Sequence, residues 1–121
     1  MYIYIVIMEV VGRKLLEKLK RKNRGNNVLV SAVDELLYEL ETKNWTTAKE
    51  LLRDRPDADK VHSDGFYFFN LNIHRTMILI EFEENLEVTI VWCGTHDEYE
   101  LTFKNNKNTI EKWLKNKGFI N

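Results

Sequence analysis

The change of hydrophobic pattern at Phe66 constrains the fold of this chain more than any other feature of its sequence. Before that residue, apolar side chains recur at helical spacing, as in the series Leu29, Val33, Leu36. From Phe66 onward, three runs rich in β-branched and aromatic residues predict strands: FYFFN, IHRTMILIEF and EVTIVWC. Helices followed by consecutive strands are typical of an α+β domain, with helices packed on a largely antiparallel sheet.

Shorter signals complete the predicted order of elements. The apolar segment 1–11 predicts a buried first strand, because Tyr, Ile and Val dominate it. Three helices are expected next: one over residues 12–22, one built on the leucine series, and a short one that begins at Thr47 with a capping box to Glu50. Asn108 is expected to cap a last helix. The predicted order is β-α-α-α-β-β-β-α, with about four strands in the sheet.

The length and the cysteine content indicate a small cytoplasmic protein. A chain of 121 residues predicts a single domain, residues 1–121, with one hydrophobic core. Its one cysteine, Cys93, cannot form an intrachain disulfide, which favours a reducing compartment. The apolar N-terminal segment is too short to span a bilayer and lacks the basic leader of a secretory signal, so no membrane association is expected. Met8 offers an alternative start of translation to Met1.

Pairing of the last two strands is expected to bring one cation close to one histidine. A turn centred on residues 84–85 fixes which residues face each other. The predicted facing pairs are Arg75 with Gly94, Met77 with Trp92, and Leu79 with Ile90. Side chains alternate along a strand, so Arg75 and His96 are expected on one face as diagonal neighbours, about 7–8 Å apart.

The segment GTHDEYE, residues 94–100, places an imidazole, three carboxylates and a phenol directly after the last strand. Cleavage of RNA by attack of its own 2′-hydroxyl needs no metal: a base takes that proton, a cation stabilises the phosphate, and an acid protonates the leaving 5′-oxygen. His96 or Glu98 would serve as base, Arg75 as the clamp on phosphate, and His96 or Tyr99 as acid. The alternative is an ordinary strand end, in which Tyr99 covers the core and Glu98 neutralises a nearby cation.

Other chemistries find little support in the residues. His62, His74 and His96 show no HxxxH-like spacing and the chain has a single thiol, so we predict neither a metal site nor a cofactor. Cys93 lies within an apolar strand, where cysteine usually behaves as a small hydrophobe. No glycine-rich phosphate loop or GxSxG motif is present.

Charge is distributed unevenly along the chain. Residues 1–26 and 101–121 are basic, whereas residues 60–100 are acidic. Two interpretations remain open: the segments pair within the fold, or the two basic ends together form a phosphate-binding surface.

GTHDEYE resembles the GTHAEYDK motif that closes the HigB family of type II toxins, which are relatives of the RelE-like mRNA interferases. Other segments agree in the same order: VVGRKLLEKLKRK (10–22) with the opening strand and basic first helix, NWTTAKEL (44–51) with the tryptophan-threonine helix start, PDAD (56–59) with PSAD, and FN (69–70) with FNI. Arg75 lies where the family carries the arginine of its YRLI segment. The resemblance covers roughly residues 8–100.

The resemblance implies a RelE-like fold and a ribosome-dependent endoribonuclease that cleaves translated mRNA and is silenced by a co-expressed antitoxin. It also implies a set of site residues. The candidate catalytic residues are Arg75, His96, Glu98 and Tyr99, and Lys14, on the basic first helix, is a candidate RNA-binding residue. Lys60 and His62 are two further candidate RNA-binding residues, chosen for their place just before the sheet and not from the resemblance.

Two departures from the family pattern affect the rim of this site. The hairpin segment NLNIHR is about two residues shorter than its counterpart, and His74 replaces the tyrosine that commonly precedes the arginine. Together with the acidic balance of residues 60–100, they leave a second function open: a catalytically degenerate toxin-like module that binds RNA or a protein. Residues 73–82 are apolar on both faces, which predicts that either the last helix or a partner such as the antitoxin covers the second face.

Overall fold

The computed structural model describes residues 8–82 and 87–121. Its elements, in chain order, are β1 (Glu9–Val11), α1 (Arg13–Lys22), α2 (Asn27–Thr42), α3 (Ala48–Asp54), β2 (Asp59–His62), β3 (Phe66–Leu71), β4 (His74–Ile80), β5 (Glu87–Thr95), α4 (His96–Phe103) and α5 (Lys107–Asn116). The expected turn at 84–85 and most of the expected first strand lie outside the described residues. No helix in these two ranges is long and apolar enough to cross a bilayer.

The strands form one mixed sheet in the order β1-β5-β4-β3-β2, with β1 parallel to β5 and every other pair antiparallel. This confirms the α+β class, but the predicted count of about four strands and the predicted order were wrong. The sequence pattern missed β2, because Val61 is its one buried side chain and a four-residue strand then shows no alternation. It also missed α4, whose first residues were interpreted as the end of a strand.

Helices cover both faces of the sheet. Helices α1 and α2 pack with one set of strand residues, which includes Tyr67, Phe69 and Ile78. Helices α4 and α5 pack with the alternate set, which includes Phe68 and Met77. The apolar pattern of residues 73–82 is therefore explained by α4 and α5, and it gives no separate argument for a partner protein.

The register of β4 and β5 agrees with the prediction at the end that matters for the candidate site. Arg75 faces Gly94 and Met77 faces Trp92, as expected. Beyond that point the prediction was wrong: Leu79 faces Thr89 instead of Ile90. The register shifts after Met77, and counting back from an expected turn cannot detect such an irregularity.

Helix ends follow the sequence signals with one shift. Thr47 caps α3 as expected, since its hydroxyl accepts from the Glu50 N–H at 3.2 Å, but the expected capping box is not completed, because the Glu50 carboxylate accepts from the Thr46 N–H instead. The last helix is capped by Asn106 rather than by Asn108, and the Asn106 side-chain oxygen accepts two backbone N–H groups. Gly118 ends this helix in the left-handed region, where the Phe119 N–H donates to the Leu114 carbonyl as in a Schellman motif.

Candidate active site at the end of the sheet

The candidate residues of the GTHDEYE segment meet the start of β4 at one end of the sheet. Arg75 lies between Asn70 of β3 and Gly94 of β5, near the point where both of those strands end. Helix α4 begins two residues after Gly94, and the His96 N–H donates to the Ile73 carbonyl at 2.9 Å. This bond ties the start of the helix to the turn that precedes β4.

A capping box ends β5 and starts α4. The Thr95 hydroxyl accepts from the Glu98 N–H at 3.1 Å, and the Glu98 carboxylate accepts from the Thr95 N–H at 2.9 Å. His96 is therefore the first residue of a helix and not a strand residue, which differs from the expected diagonal strand pair. The helix nevertheless brings His96 and Arg75 to one common neighbour, Tyr99.

Arg75 is held by aromatic rings and is left without an acidic partner. Its guanidinium carbon lies 4.4 Å from the centre of the Tyr99 ring and 5.0 Å from that of Phe68. Among the residues that the structure describes, no carboxylate forms an ion pair with Arg75, and its buried Nε has no hydrogen-bond partner. Such stacking fixes the plane of a guanidinium while its positive charge remains available to an anion.

His96 lies on the same ring and faces solvent. Its side chain is 61% exposed, and its ring meets the Tyr99 ring edge-on with 5.7 Å between centres. The Nδ1 atom of His96 is 4.0 Å from a carboxylate oxygen of Glu100, one helical turn further on. The two side chains thus share one neighbouring ring, and an exposed imidazole is a group that can exchange protons with a bound substrate.

Tyr99 forms the support of this arrangement. It is only 2% exposed, and its ring packs against Phe68 and Phe103. Its hydroxyl donates to the side-chain oxygen of Asn105 at 3.0 Å. Tyr99 therefore matches the expected core-covering tyrosine in its burial, while its ring carries Arg75 and His96.

Glu98 lies on the other side of the strand end, next to α1. It lines a cavity of about 370 Å³ between α1 and the end of β5, here called the α1 cavity, together with Lys18, Lys22 and His74. The hydrogen bonds that its carboxylate accepts at Thr95, backbone first, lower the pKa of Glu98. Glu98 is thus an ionised cap that faces the α1 cavity, away from the ring shared by Arg75 and His96.

Burial changes the pKa of two further side chains that line the α1 cavity. His74 is 5% exposed, its Nδ1 has no hydrogen-bond partner, and burial lowers its pKa, against the opposing effect of the Glu98 charge. Cys93 donates its thiol to the Leu15 carbonyl, and burial raises its pKa to about 11. A thiol with this pKa stays protonated at neutral pH, which agrees with the expected role of Cys93 as a small buried side chain.

The structure does not bring the remaining candidates into this site. Lys14 is exposed on α1, one turn before Lys18, and does not line the α1 cavity. Lys60 and His62 line a separate cavity with Lys107, Asn108 and Glu111. His62 pairs with Phe66 at the start of β3, whereas Arg75 faces Asn70 near the end of that strand.

Sequence reasoning missed Lys18, Lys22 and His74 as neighbours of the site. Lys14, Lys18 and Lys22 recur every four residues, and this spacing predicts one basic stripe on α1. His74 precedes Arg75 on β4, so strand alternation alone puts it on the opposite face. Within residues 8–82 and 87–121, no group of three or more His, Cys, Asp or Glu side chains is arranged to hold a metal ion.

Comparison with known proteins agrees with these features. A family model described as the HigB toxin, the RelE-like toxic component of a toxin–antitoxin system, matches residues 30–102, which is more than half of the chain. The matched part runs from within α2 into α4 and includes Arg75, His96 and Tyr99, but not Lys14. Among the curated proteins compared, none has a matching sequence.

Proposed function

Since this chain belongs to the HigB family of RelE-like toxins, the toxic components of toxin–antitoxin systems, we propose that it is a ribosome-dependent endoribonuclease that cleaves translated mRNA. Its site of action is the cytoplasm, and a co-expressed antitoxin protein silences it. The proposed reaction is the metal-independent attack of an RNA 2′-hydroxyl on the neighbouring phosphate.

The observation that carries this proposal is the uncompensated charge of Arg75. Among the other described arginines, Arg13, Arg53 and Arg55 each have a carboxylate partner. The two without one, Arg21 and Arg24, are exposed to solvent instead of being packed on rings. Arg75 instead stacks on Phe68 and Tyr99 at the open end of the sheet, where an RNA phosphate can supply the missing negative charge. A guanidinium placed in advance where charge develops on phosphate stabilises the transition state.

The reaction needs two proton transfers besides this clamp. The 2′-oxygen attacks phosphorus and loses its proton, a 2′,3′-cyclic phosphate forms, the bond from phosphorus to the 5′-oxygen breaks, and that oxygen gains a proton. His96 is exposed and shares the Tyr99 ring with Arg75, which supports it as the group that gives the proton to the 5′-oxygen. The 2′-proton then passes to water or to a ribosomal group in the decoding site.

The contacts of Tyr99 and Glu98 support a role in positioning Arg75 and His96. The Tyr99 hydroxyl is bonded to Asn105, so the contribution of this residue is the ring that orients Arg75 and His96. The Glu98 carboxylate accepts the Thr95 N–H and thereby holds the first turn of α4, on which His96 lies. Lys14, Lys60 and His62 remain predicted RNA contacts away from the reacting phosphate.

Charge explains why the ribosome is needed. Residues 60–100, which contain Arg75 and His96, are acidic overall, and the nearby Lys18 and Lys22 line the α1 cavity on the opposite side of the sheet end, so few cations lie on the Arg75 side to attract a free RNA strand. Affinity for free RNA is therefore expected to be weak and steeply salt-dependent. The ribosome removes this requirement because it already holds the mRNA.

A catalytically degenerate module that binds RNA or protein is the second candidate function. The observations that favour it are the bonded hydroxyl of Tyr99 and the placement of Glu98 on the α1 side, which leave His96 as the remaining proton-transfer candidate on the Arg75 side. Such a module would bind its antitoxin without cleaving RNA.

A reconstituted translation reaction distinguishes the two functions. The purified protein is added to ribosomes translating a defined mRNA, and the ends of the fragments are analysed chemically. Attack by the 2′-hydroxyl predicts a 5′-hydroxyl on one fragment and a cyclic phosphate, or its hydrolysed form, on the other. The same mRNA without ribosomes should stay intact at physiological salt.

Three results would count against the proposal. An intact translated mRNA would favour the binding module, fragments with 5′-phosphate ends would exclude the 2′-hydroxyl mechanism, and rapid cleavage without ribosomes would indicate an ordinary nuclease. Arg53→Gln is a matched control for the purified protein, because Arg53 is an exposed arginine on α3 that, among the described residues, forms an ion pair only with the neighbouring Asp54. This variant should cleave like the unaltered chain.

A further inference from the structure

The α1 cavity has the features of a binding site, and it lies apart from the groups that carry the proposed cleavage. At about 370 Å³ it falls within the range of small-molecule sites, roughly 300–1,000 Å³. One wall is apolar and comes from Leu15 and Leu19 of α1. The opposite wall is the end of β5 with the start of α4, from Cys93 to Glu98.

A buried histidine points to a ligand in this cavity. His74 lines it, is 95% buried, and keeps Nδ1 without a hydrogen-bond partner in the described part of the chain. A buried polar atom of this kind costs free energy unless something bonds to it. Because burial lowers the pKa of His74, the imidazole is neutral near pH 7 and can form one hydrogen bond as a donor and one as an acceptor.

The charges around the cavity fit one phosphodiester. Lys18 and Lys22 line it from α1, and Glu98 lines it from α4, so the lining carries one positive charge in excess. The Glu98 carboxylate is already engaged at the Thr95 N–H, whereas no ion pair is formed by Lys18 or Lys22 with any described residue. A ligand with one negative charge, an apolar planar part and hydrogen-bonding edges would satisfy all of these groups.

The position of the cavity relates it to the proposed cleavage site. His74 and Arg75 are consecutive in β4, so their Cα atoms are about 3.8 Å apart. Their side chains project from opposite faces of the sheet end. An RNA strand whose phosphate lies on Arg75 can continue around this end, past Thr95, into the cavity. Thr95 is half-buried and His96 is exposed, so the rim between Arg75 and the cavity is accessible to solvent.

We infer that the α1 cavity binds a ribonucleotide next to the cleavage point, with its base between Leu15 or Leu19 and His74 and its phosphate on Lys18 and Lys22. The inference rests on the proposed function for the identity of the ligand. The α1 cavity then contacts the base on the side of the sheet end opposite Arg75. His74 helps to determine which nucleotide the cavity accepts. A neutral imidazole can distinguish bases through its donor and its acceptor.

Binding can be measured without ribosomes and without cleavage. The four ribonucleoside 3′-methyl phosphates, which are diesters with one negative charge, and inorganic phosphate are titrated separately into ¹⁵N-labelled protein, and the amide resonances of Cys93, Gly94 and Thr95 are followed. We expect saturable shifts at these amides, with at least one base binding several-fold more tightly than the others. Inorganic phosphate should bind at least ten-fold more weakly.

Variants assign the binding to named side chains. His74→Phe keeps a planar ring but removes the hydrogen bonds, and it should weaken the preferred nucleotide at least ten-fold and abolish the base preference. Lys18→Gln with Lys22→Gln changes only exposed side chains, so it tests the phosphate contact even if His74→Phe proves unstable. Lys112→Gln is the matched control, since this exposed lysine lies on α5 and does not line the cavity.

The results separate this inference from the proposed function. It is wrong if no nucleotide gives saturable shifts, or if inorganic phosphate binds as tightly as the nucleotides, which would leave an anion site without base reading. It is also wrong if His74→Phe cleaves translated mRNA at the original rate and positions, and the proposed function would then stand. Nucleotide binding in a protein that cleaves no mRNA would instead overturn the proposed function and keep the pocket.

Discussion

Arg55 and Arg75 are stacked on neighbouring phenylalanines of β3 but differ completely in their partners. The guanidinium carbon of Arg55 lies 5.5 Å from the Phe69 ring, and that of Arg75 lies 5.0 Å from the Phe68 ring, on the opposite face of the sheet. Arg55 forms ion pairs of 3.0 Å with Glu39 and 2.8 Å with Asp57, and also donates to the Asn70 carbonyl. Arg75 has no such partner among the described residues.

Under the proposed function, Arg55 is a structural arginine and Arg75 is a functional one. Arg55 links α2, the segment before β2 and the end of β3, and Asp57 completes the link by accepting the Asn70 N–H. Its charge is therefore neutralised within the fold. Arg75 is held by ring contacts, and among the described residues no carboxylate neutralises its charge, so the two arginines should respond to substitution in opposite ways.

The largest expected effect is on the Arg75 side. His96→Gln removes the proposed proton donor, and general acid–base groups contribute about 10²- to 10⁴-fold to rate, so cleavage of translated mRNA should fall by that amount. Because the side chain is mostly exposed, the free energy of unfolding should change by no more than about 0.5 kcal/mol. A His96→Gln protein that cleaves within three-fold of the original rate would remove His96 from the mechanism.

On the Arg55 side, stability should fall and activity should persist. Arg55 and Glu39 are 14% and 12% exposed, so Arg55→Gln leaves a nearly buried carboxylate unpaired, at a cost of roughly 3 kcal/mol in the free energy of unfolding. Urea denaturation measures this cost. Adding Glu39→Gln should restore much of the loss, and the folded fraction of either variant should cleave normally. A fully stable Arg55→Gln protein would contradict the structural role of this arginine.

Gly94→Ala should lower both stability and activity, because Gly94 faces Arg75 and directly precedes Thr95, the N-cap of α4. A Cβ at this position would approach the Trp92 ring to 2.8 Å and the Glu98 carboxylate to 3.2 Å, so the Trp92 ring would have to shift against Phe103 of α4 and disturb that helix. Overpacking of this kind costs about 1–3 kcal/mol, and the shift would displace His96. Gly25→Ala is the control, since nothing lies within 4 Å of its added carbon. Unchanged stability and cleavage in Gly94→Ala would show that the junction tolerates movement.

The smallest expected effect is the pH dependence of the α4 cap. The pKa of Glu98 is lowered in the folded protein, so its ionised form adds stability that is present above the ordinary glutamate pKa and is lost as the pH falls through the lowered value. Glu98→Gln should remove this part of the acid sensitivity and cost at most about 1 kcal/mol at pH 7, because the group is exposed. Identical acid unfolding of both proteins would contradict the role of this cap.

Much of the fold could be predicted because the strands carry strong local signals. The aromatic and β-branched runs located β3, β4 and β5, and strand counting placed Arg75 opposite Gly94. The strand β2 has one buried side chain, Val61, and therefore no apolar alternation, and the register of β4 with β5 shifts between Met77 and Ile78. Neither leaves a pattern in the local sequence.

The candidate site was predicted only in part, because the residues after Thr95 form a helix and not the end of a strand. Treating GTHDEYE as a strand end put residues 96 and 98 on one face, but successive helical residues are rotated by about 100° around the axis. In α4, His96 and Tyr99 therefore lie on one side while Glu98 turns towards α1. The signal was present in the sequence, since Thr95 and Glu98 have the spacing of a capping box.

The rate of mRNA cleavage by Arg75→Gln tests the central claim most directly. Single-turnover cleavage is measured in the reconstituted translation reaction beside the unaltered protein and the Arg53→Gln control. Loss of a transition-state clamp of this kind costs about 3–4 kcal/mol, so the rate should fall a few hundred-fold, while the free energy of unfolding changes by about 1 kcal/mol or less because only ring stacking is lost. Cleavage by Arg75→Gln at the rate of Arg53→Gln would contradict the claim that the unpaired guanidinium of Arg75 holds the reacting phosphate.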